Sequence, residues 1–403
     1  MLEKFFKNIV AGFHANRRLI FILILAFSIL RFFWLNYINW ENGTISNGQH
    51  GIKIWLDSGR YTYGAEKILL GMDLEGREKQ FLGYILFLTF FKLFNIPLEY
   101  FVAFQMIIAL LASFVIYRLV LQATKSKFGA LFSAALFLNN PFIVQWHQYI
   151  LTESLYTSFL VFCFWKFYKL YKNFSFKNIA ISLLFVLITL SVRPNGWILI
   201  PIFVWIVIDR YFKKNSLVIL SLIFLLFVMM AALIPGLKSQ IQITTPVENL
   251  QNGVTVWDHP ELYINMPQEP DLDIKDWTSG IKYIVKHPLA SLKLGLIRVG
   301  YSLIHIRPYH SIKYQIRVLF WIIPAYVLFI VGFLFDRKNQ IYKIGIMIIV
   351  FHLLIIFLTY AEHDSRFDIY ILPVFYILSG VGLVETYRKL YYRLFKKYEM
   401  KIS

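Results

Sequence analysis

An all-α polytopic membrane protein is the fold class this sequence predicts, and three observations predict it. Of its 403 residues, 58% are hydrophobic and only 16% carry charge, against roughly 25% charged in a soluble chain. Many apolar runs approach the roughly 20 residues a helix needs to cross a hydrocarbon core, and they lack the alternation of barrel strands. The segments joining them alternate in charge.

Spans are expected at 19–37, 98–121, 127–146, 152–171, 176–194, 195–211, 216–235, 317–335, 341–360 and 368–387, about ten crossings in all. The first follows a basic segment, is too long for a signal-peptide core and lacks a small-residue cleavage site, so it is read as retained. Lys4, Lys7, Arg17 and Arg18, then Arg118, Lys125 and Lys127, then Lys166, Lys169, Lys172 and Lys177 mark one side of the membrane. Arg210, Lys213 and Lys214, then Arg337, Lys338 and Lys343, then the tail beginning at Arg388 mark the same side. By the positive-inside rule this side and both termini are cytoplasmic, in the inner membrane of the cell. It accounts for the entire formal charge of +18. Spread over short juxtamembrane segments and without a nucleic-acid-binding motif, that charge serves membrane lipids and not nucleic acid.

Three units follow. Residues 1–235 form an N-terminal transmembrane module with a first outer loop at 38–97, 236–316 an outer loop with a juxtamembrane helix, and 317–403 the last crossings with a basic cytoplasmic tail. In the first loop, IWLDSGRYTYGAEKILLG places Tyr61, Ala65, Ile68 and Leu69 on one helical face, with Gly71 as a stop, which predicts an amphipathic helix on the outer membrane surface. The apolar piece at 81–94 is too short to cross and suits a re-entrant or interfacial helix. Cys163 is the single cysteine, so no disulfide or CxxC metal site forms within the chain.

The residues able to carry chemistry lie at span ends. Asp57 is either a helix cap, alone or with Ser58, or a general base among Trp55, Tyr61 and Tyr63. Glu153, in QYILTESLY, is either a first-turn acid behind a Thr152 cap or a second carboxylate facing Asp57. Two carboxylates are compatible with a divalent cation but too few to assign one. Arg193, in SVRPNGW, either snorkels to headgroups or holds an anion. Arg366, in YAEHDSRFDIYILP, opposes a helix dipole and calls for an anion, which Asp364, Asp368 or a bound phosphate supplies. Lys293, Arg298, His305, Arg307 and His310 read as an interfacial helix with snorkelling bases or as a grip on lipid phosphate. The DLD at 271–273 lies in an outer loop where nucleotide sugars are not expected, and the GVGLVE at 380–385 follows no strand, so neither is a nucleotide site.

In this order and sidedness, Asp57 with GRYTYGAEKILLG, the pair Gly83-Tyr84, NPFIVQWHQYILTESLY, SVRPNGW and SRFDIYILP resemble the GT-C glycosyltransferases. The nearest branch is that of the bacterial protein-mannosyltransferase-like and aminoarabinose-transferase-like enzymes. The resemblance implies transfer of a sugar from a polyprenyl-phosphate donor on the outer face, with inversion, into a cell-envelope glycan, lipid or protein acceptor. It implies Asp57 as the first-loop acid, Glu153 as the second-loop acid and Arg366 as the phosphate-binding arginine; the residues themselves add Arg193, Arg307, His305, Tyr61 and Tyr63 as expected substrate contacts. Two features depart from the family: Asp57 is followed by Ser58 where relatives often show a second acid, and QFLGY lacks the expected proline. A lipid-linked glycan polymerase or ligase would need the outer arginines but not the first-loop carboxylate. A transporter would need mid-span charge, and the clearest mid-span ionisable group, His352, reads as a packed neutral histidine.

Overall fold

The computed structural model describes residues 17–41, 52–212, 246–270, 272, 277–362 and 366–399. The described helices are α1 (Arg17–Glu41), α2 (Leu56–Leu69), α3 (Leu82–Leu93), α4 (Leu98–Thr124), α5 (Lys127–Asn139), α6 (Glu153–Lys172), α7 (Phe176–Val192) and α8 (Leu199–Phe212). After the expected span at 216–235, which lies outside the described residues, come α9 (Pro246–Gln251), α10 (Trp277–Lys286), α11 (Pro288–Ile304), α12 (Ile312–Trp321), α13 (Ile323–Phe335), α14 (Gln340–Leu358) and α15 (Leu372–Glu399). No strand occurs among the described residues, only two isolated bridges.

The protein is an all-α membrane-embedded chain. Among the described residues, five helical segments are long and apolar enough to cross a bilayer: Phe21–Ile38, Leu98–Thr124, Ile312–Phe335, Gln340–Leu358 and Asp368–Leu390. The pair Lys127–Asn139 and Pro141–Gln148, bent by 49°, is a sixth if taken as one broken span. The expected crossings at 152–171, 176–194 and 195–211 are helical but less decisive. Helix α6 carries Lys166, Lys169 and Lys172 along its second half, α7 has 17 residues, and α8 has 14, preceded by a 3₁₀ turn that Pro194 opens.

Helix α15 is the pillar of the fold, its spanning stretch mostly enclosed by protein. It packs on α13 and α5 through small residues, as helices do where no hydrophobic effect drives them together. A Cβ on Gly382 would stand 2.0 Å from the Leu328 carbonyl oxygen of α13, and one on Gly129 of α5 would stand 2.8 Å from the Gly380 oxygen. The glycines of GVGLVE are therefore packing residues.

The segment after the first apolar run forms the expected helix, α2, with a narrower buried face. Tyr61 and Ala65 are fully buried while Leu69 is exposed. The helix closes where expected: Gly71 has φ +70, and the Met72 N–H donates to the Lys67 carbonyl at 2.8 Å, the six-to-one bond of a glycine-terminated helix. Lys67 then holds buried Glu78 at 3.0 Å, folding the chain back toward α3. Helix α3 has only 12 residues; a Cβ on its Gly83 would fall 2.2 Å from Ser191 Oγ of α7, so glycine permits that approach and buries Tyr84 beside it.

The two bridges tie segments far apart in the chain. Lys53 pairs in parallel with Tyr149, its N–H donating to the Gln148 carbonyl at 3.1 Å while Ile150 N–H donates to the Lys53 carbonyl at 3.2 Å. This strap carries the start of α2 to the start of α6. Val256 pairs likewise with Ala361, tying the segment after α9 to the link before α15.

Candidate active site

Asp57, Glu153, Arg193 and Arg366 come together at the ends of four separate elements. Arg366 is the hub: its Nη2 donates to Asp57 Oδ2 at 3.0 Å and its Nε donates to Glu153 Oε1. Arg193 Nη1 donates to the same Glu153 oxygen at 2.7 Å, and the Tyr370 hydroxyl does so at 3.1 Å. Arg60 closes the outer edge, its Nη1 3.1 Å from Asp57 Oδ1. The Arg193 guanidinium lies over the rings of Tyr370, 4.9 Å from the centroid, and Phe367, at 5.2 Å.

These partners decide between the alternatives the sequence left open. Asp57 lies in the first turn of α2 but does not cap it: Trp55 occupies the cap position, the Ser58 hydroxyl accepts from the Trp55 N–H at 2.9 Å, and the Asp57 carboxylate is given to arginines. Thr152 holds the cap position of α6 without a capping hydrogen bond, because its hydroxyl accepts from Arg193. Arg193 does not snorkel; it is buried at the end of α7. Arg366 reaches Asp57 and Glu153, whereas Asp368 accepts from Arg307 Nη2 at 3.1 Å and from the Ser302 hydroxyl. Asp364 and the DLD acids Asp271 and Asp273 lie outside the described residues.

No family model, curated protein or solved structure matches the chain.

Among the described residues, Arg193 and Arg366 face Glu153 and Asp57 at the centre of the cluster, and Arg60 adds a third guanidinium at its edge. Burial alone would weaken the Arg366 cation, but Glu153 chiefly, with Tyr370, Tyr61 and Asp57, more than offsets this and holds it charged. Burial raises the Tyr61 phenol well above its ordinary value, which keeps it a neutral donor. Glu153 Oε1 takes three donors while Oε2, also buried, has no hydrogen-bond partner among the described residues. The same holds for the buried hydroxyls of Tyr61, Tyr84 and Tyr156 and the Nε of Arg193. Buried polar atoms are almost always hydrogen-bonded, so this lining suits a hydroxyl-bearing ligand or ordered water. Tyr61 stacks edge-on to Tyr84 at 5.0 Å, and Tyr156 to Tyr370 at 4.8 Å.

The remaining expected residues separate. Tyr63 is exposed and lies against the Lys67 ammonium, 4.8 Å from the ring centroid. Arg307 and His305 form a second buried cluster around Asp368. His305 is pushed down to about 3, by burial first and then by Arg307 and His310; it is neutral near pH 7, where Arg307 still supplies a positive charge to Asp368. Arg298 is fully buried, not snorkelling: it donates to the carbonyls of Val254, Phe357 and Asn249, a staple between the outer loop and α14. Lys293 is exposed.

The described residues contain no group of three His, Cys, Asp or Glu able to hold a metal ion, and the two carboxylates here are bridged by a guanidinium. Sequence reading missed Arg60, Tyr370 and Ser302, and it offered Asp368 to Arg366 where the structure gives it to Arg307. Arg60 carried a signal, since a cation three residues after Asp57 on a helix faces it; the others depend on chain crossings that no local pattern records.

Proposed function

We propose that the protein is a multi-pass membrane glycosyltransferase of the GT-C type, moving a sugar from a polyprenyl-phosphate donor to an acceptor hydroxyl with inversion. The observation that carries the reading is the Arg366 guanidinium held between Asp57 and Glu153, with Arg193 on the same Glu153 oxygen. An anionic phosphate entering that cluster competes with Asp57 for Arg366 Nη2, and arginine's planar fork suits it. Asp57, released on that side, takes the proton from the acceptor hydroxyl. The acceptor oxygen then bonds to the anomeric carbon as the bond from that carbon to the phosphate oxygen breaks. The electron pair leaves with the polyprenyl phosphate, whose charge Arg366 and Arg193 stabilise.

Attack on an anomeric carbon passes through an oxocarbenium-like transition state, so a single positioned base suffices. Glu153, fully enclosed and triply bonded on one oxygen, acts as the anchor that fixes both arginines. The proposed topology places about ten crossings around this site, cytoplasmic termini, the site itself on the outer face of the inner membrane, and α10 and α11 as juxtamembrane helices. Outward placement explains a lipid-borne donor: nucleotide sugars are made inside, and a lipid phosphate is what a flippase delivers.

The test is transfer of label from radiolabelled polyprenyl-phosphate sugars in membranes containing the wild type or Asp57→Asn. Transfer by the wild type and its loss by at least 100-fold in the variant is expected; equal transfer by both would remove Asp57 from the chemistry.

A further inference from the structure

We infer that the second outer loop carries a separate binding cleft for a neutral saccharide, which names the chemical class of the acceptor. The inference rests on the transferase reading above only for the word acceptor; the cleft itself is read from its own lining.

A cleft of about 530 Å³ opens between the end of α9 and the segment after the 3₁₀ turn at Pro260–Leu262. Four carboxamides line it, from Gln251, Asn252, Asn265 and Gln268, and Tyr263, Ile264 and Met266 complete it. Among the described residues, no carboxylate, ammonium or guanidinium lines it. That excludes phosphates and carboxylates as the favoured ligand, since a charged group moved from water into the cleft would find no countercharge. A wholly apolar ligand is disfavoured for the opposite reason, because it would strip water from four amides and return no hydrogen bonds. A sugar satisfies both halves: its hydroxyls meet the carboxamides while its C–H faces lie on the tyrosine ring, Ile264 and the buried Met266.

Two of the amides are fixed in advance. Gln251 Nε2 donates to the Glu269 carbonyl at 2.8 Å, and Gln268 Nε2 donates to the Gln251 carbonyl at 2.9 Å, which leaves each Oε1 as an acceptor for a ligand hydroxyl. Asn252 and Asn265 are exposed and carry no side-chain hydrogen bond among the described residues, so both ends of their amides remain for a ligand. The walls are rigid. Gly253 has φ +62, and a Cβ there would meet the Ile264 carbonyl oxygen at 1.7 Å; its own carbonyl accepts from the Ile264 N–H at 3.1 Å. Such preorganisation lowers the ordering cost of binding.

The cleft is also coupled to the candidate active site. Arg298 clamps the carbonyls of Asn249 and Val254 on either side of Gln251 and Asn252. Trp257 N–H donates to the Ala361 carbonyl at 2.9 Å and Ala361 N–H donates to the Thr255 carbonyl at 3.0 Å. The loop that forms the cleft is thus bolted to the link that delivers Arg366.

The experiment uses the full chain in lipid nanodiscs with maltotriose, mannotriose and triacetylchitotriose as neutral probes, reading hydrogen exchange over residues 249–268. At least one probe should slow exchange there, and Asn252→Ala/Asn265→Ala should weaken that probe at least tenfold at an unchanged melting temperature. Asp57→Asn should bind it like wild type. Absence of protection with all three probes, or protection that the double variant leaves intact, overturns the inference. Label transfer is scored separately, so a chain that binds the saccharide but transfers nothing refutes the transferase reading alone, and one that transfers without protection refutes the cleft alone.

Discussion

Arg366 and Asp57 stand 309 residues apart in the chain and meet at 3.0 Å. Nothing local joins them. Asp57 is delivered by the strap between Lys53 and Tyr149, and Arg366 by the link that Val256 holds at Ala361. An ion pair built by two long-range straps, with one partner buried, costs desolvation that its Coulomb attraction does not reliably repay. A functional use for the charges is the economical explanation.

Glu153 should prove structural as well as functional. Glu153→Gln keeps the shape but leaves the buried Arg193 and Arg366 short of a countercharge, at an expected cost of about 3–5 kcal/mol. Thermal unfolding in detergent should show a large fall in melting temperature. A double variant that also replaces Arg193 by Gln should recover part of it, and an unshifted midpoint for the single variant would contradict the anchor role.

Arg366→Lys tests the fork against simple charge. An ammonium can hold one of the two carboxylates well but cannot span them as a guanidinium does. Label transfer should fall by at least ~100-fold, as when one preorganised electrostatic contact to a transition state is lost, and donor binding should weaken. Wild-type transfer by the lysine variant would show that the planar geometry is irrelevant.

His305 predicts acid sensitivity. Its folded-state value near 3 lies below the ordinary 6.5, so between those limits the unfolded chain binds a proton that the folded chain refuses. Stability then rises with pH across this window and is lost on acidification from about 6.5 downward. The melting temperature measured from pH 7.5 to 4.5 should fall, and His305→Asn should flatten the slope. An equal slope in both proteins would assign the sensitivity elsewhere.

The hairpin of α10 and α11 should lie in the outer leaflet. Ile281, Val285, Leu289, Leu292 and Leu296 are exposed at helical spacing across the break at Pro288, and Ile312, Ile316 and Phe320 continue the apolar exposure into α12. Cys163 is buried, so a fluorophore on Val285→Cys or Leu289→Cys reports a single site. Doxyl-labelled lipids should quench both and spare a label on Asp258→Cys in the exposed loop; equal quenching of all three would remove the membrane contact.

The sequence by itself determined the fold class, the spans whose apolar runs are long, the helix after Asp57 with its stop at Gly71, and the short α3. Each depends on composition, period and caps within a few turns of chain, which is the range over which side chains and backbone dictate local structure. It also singled out Asp57, Glu153, Arg193 and Arg366, because a charge at the end of an apolar run is costly enough to stand out. Only the tertiary structure decided what those charges bond to. Asp57 and Glu153 looked like helix-terminal acids, Arg193 and Arg298 like snorkelling bases, and the glycines at 380 and 382 like a failed nucleotide motif. Their partners, Arg366, Arg193, the carbonyls of the outer loop, and Gly129 and Leu328, come from remote segments. Partnership at that range is set by how the helices pack and where two backbone straps close, and no window of sequence contains it.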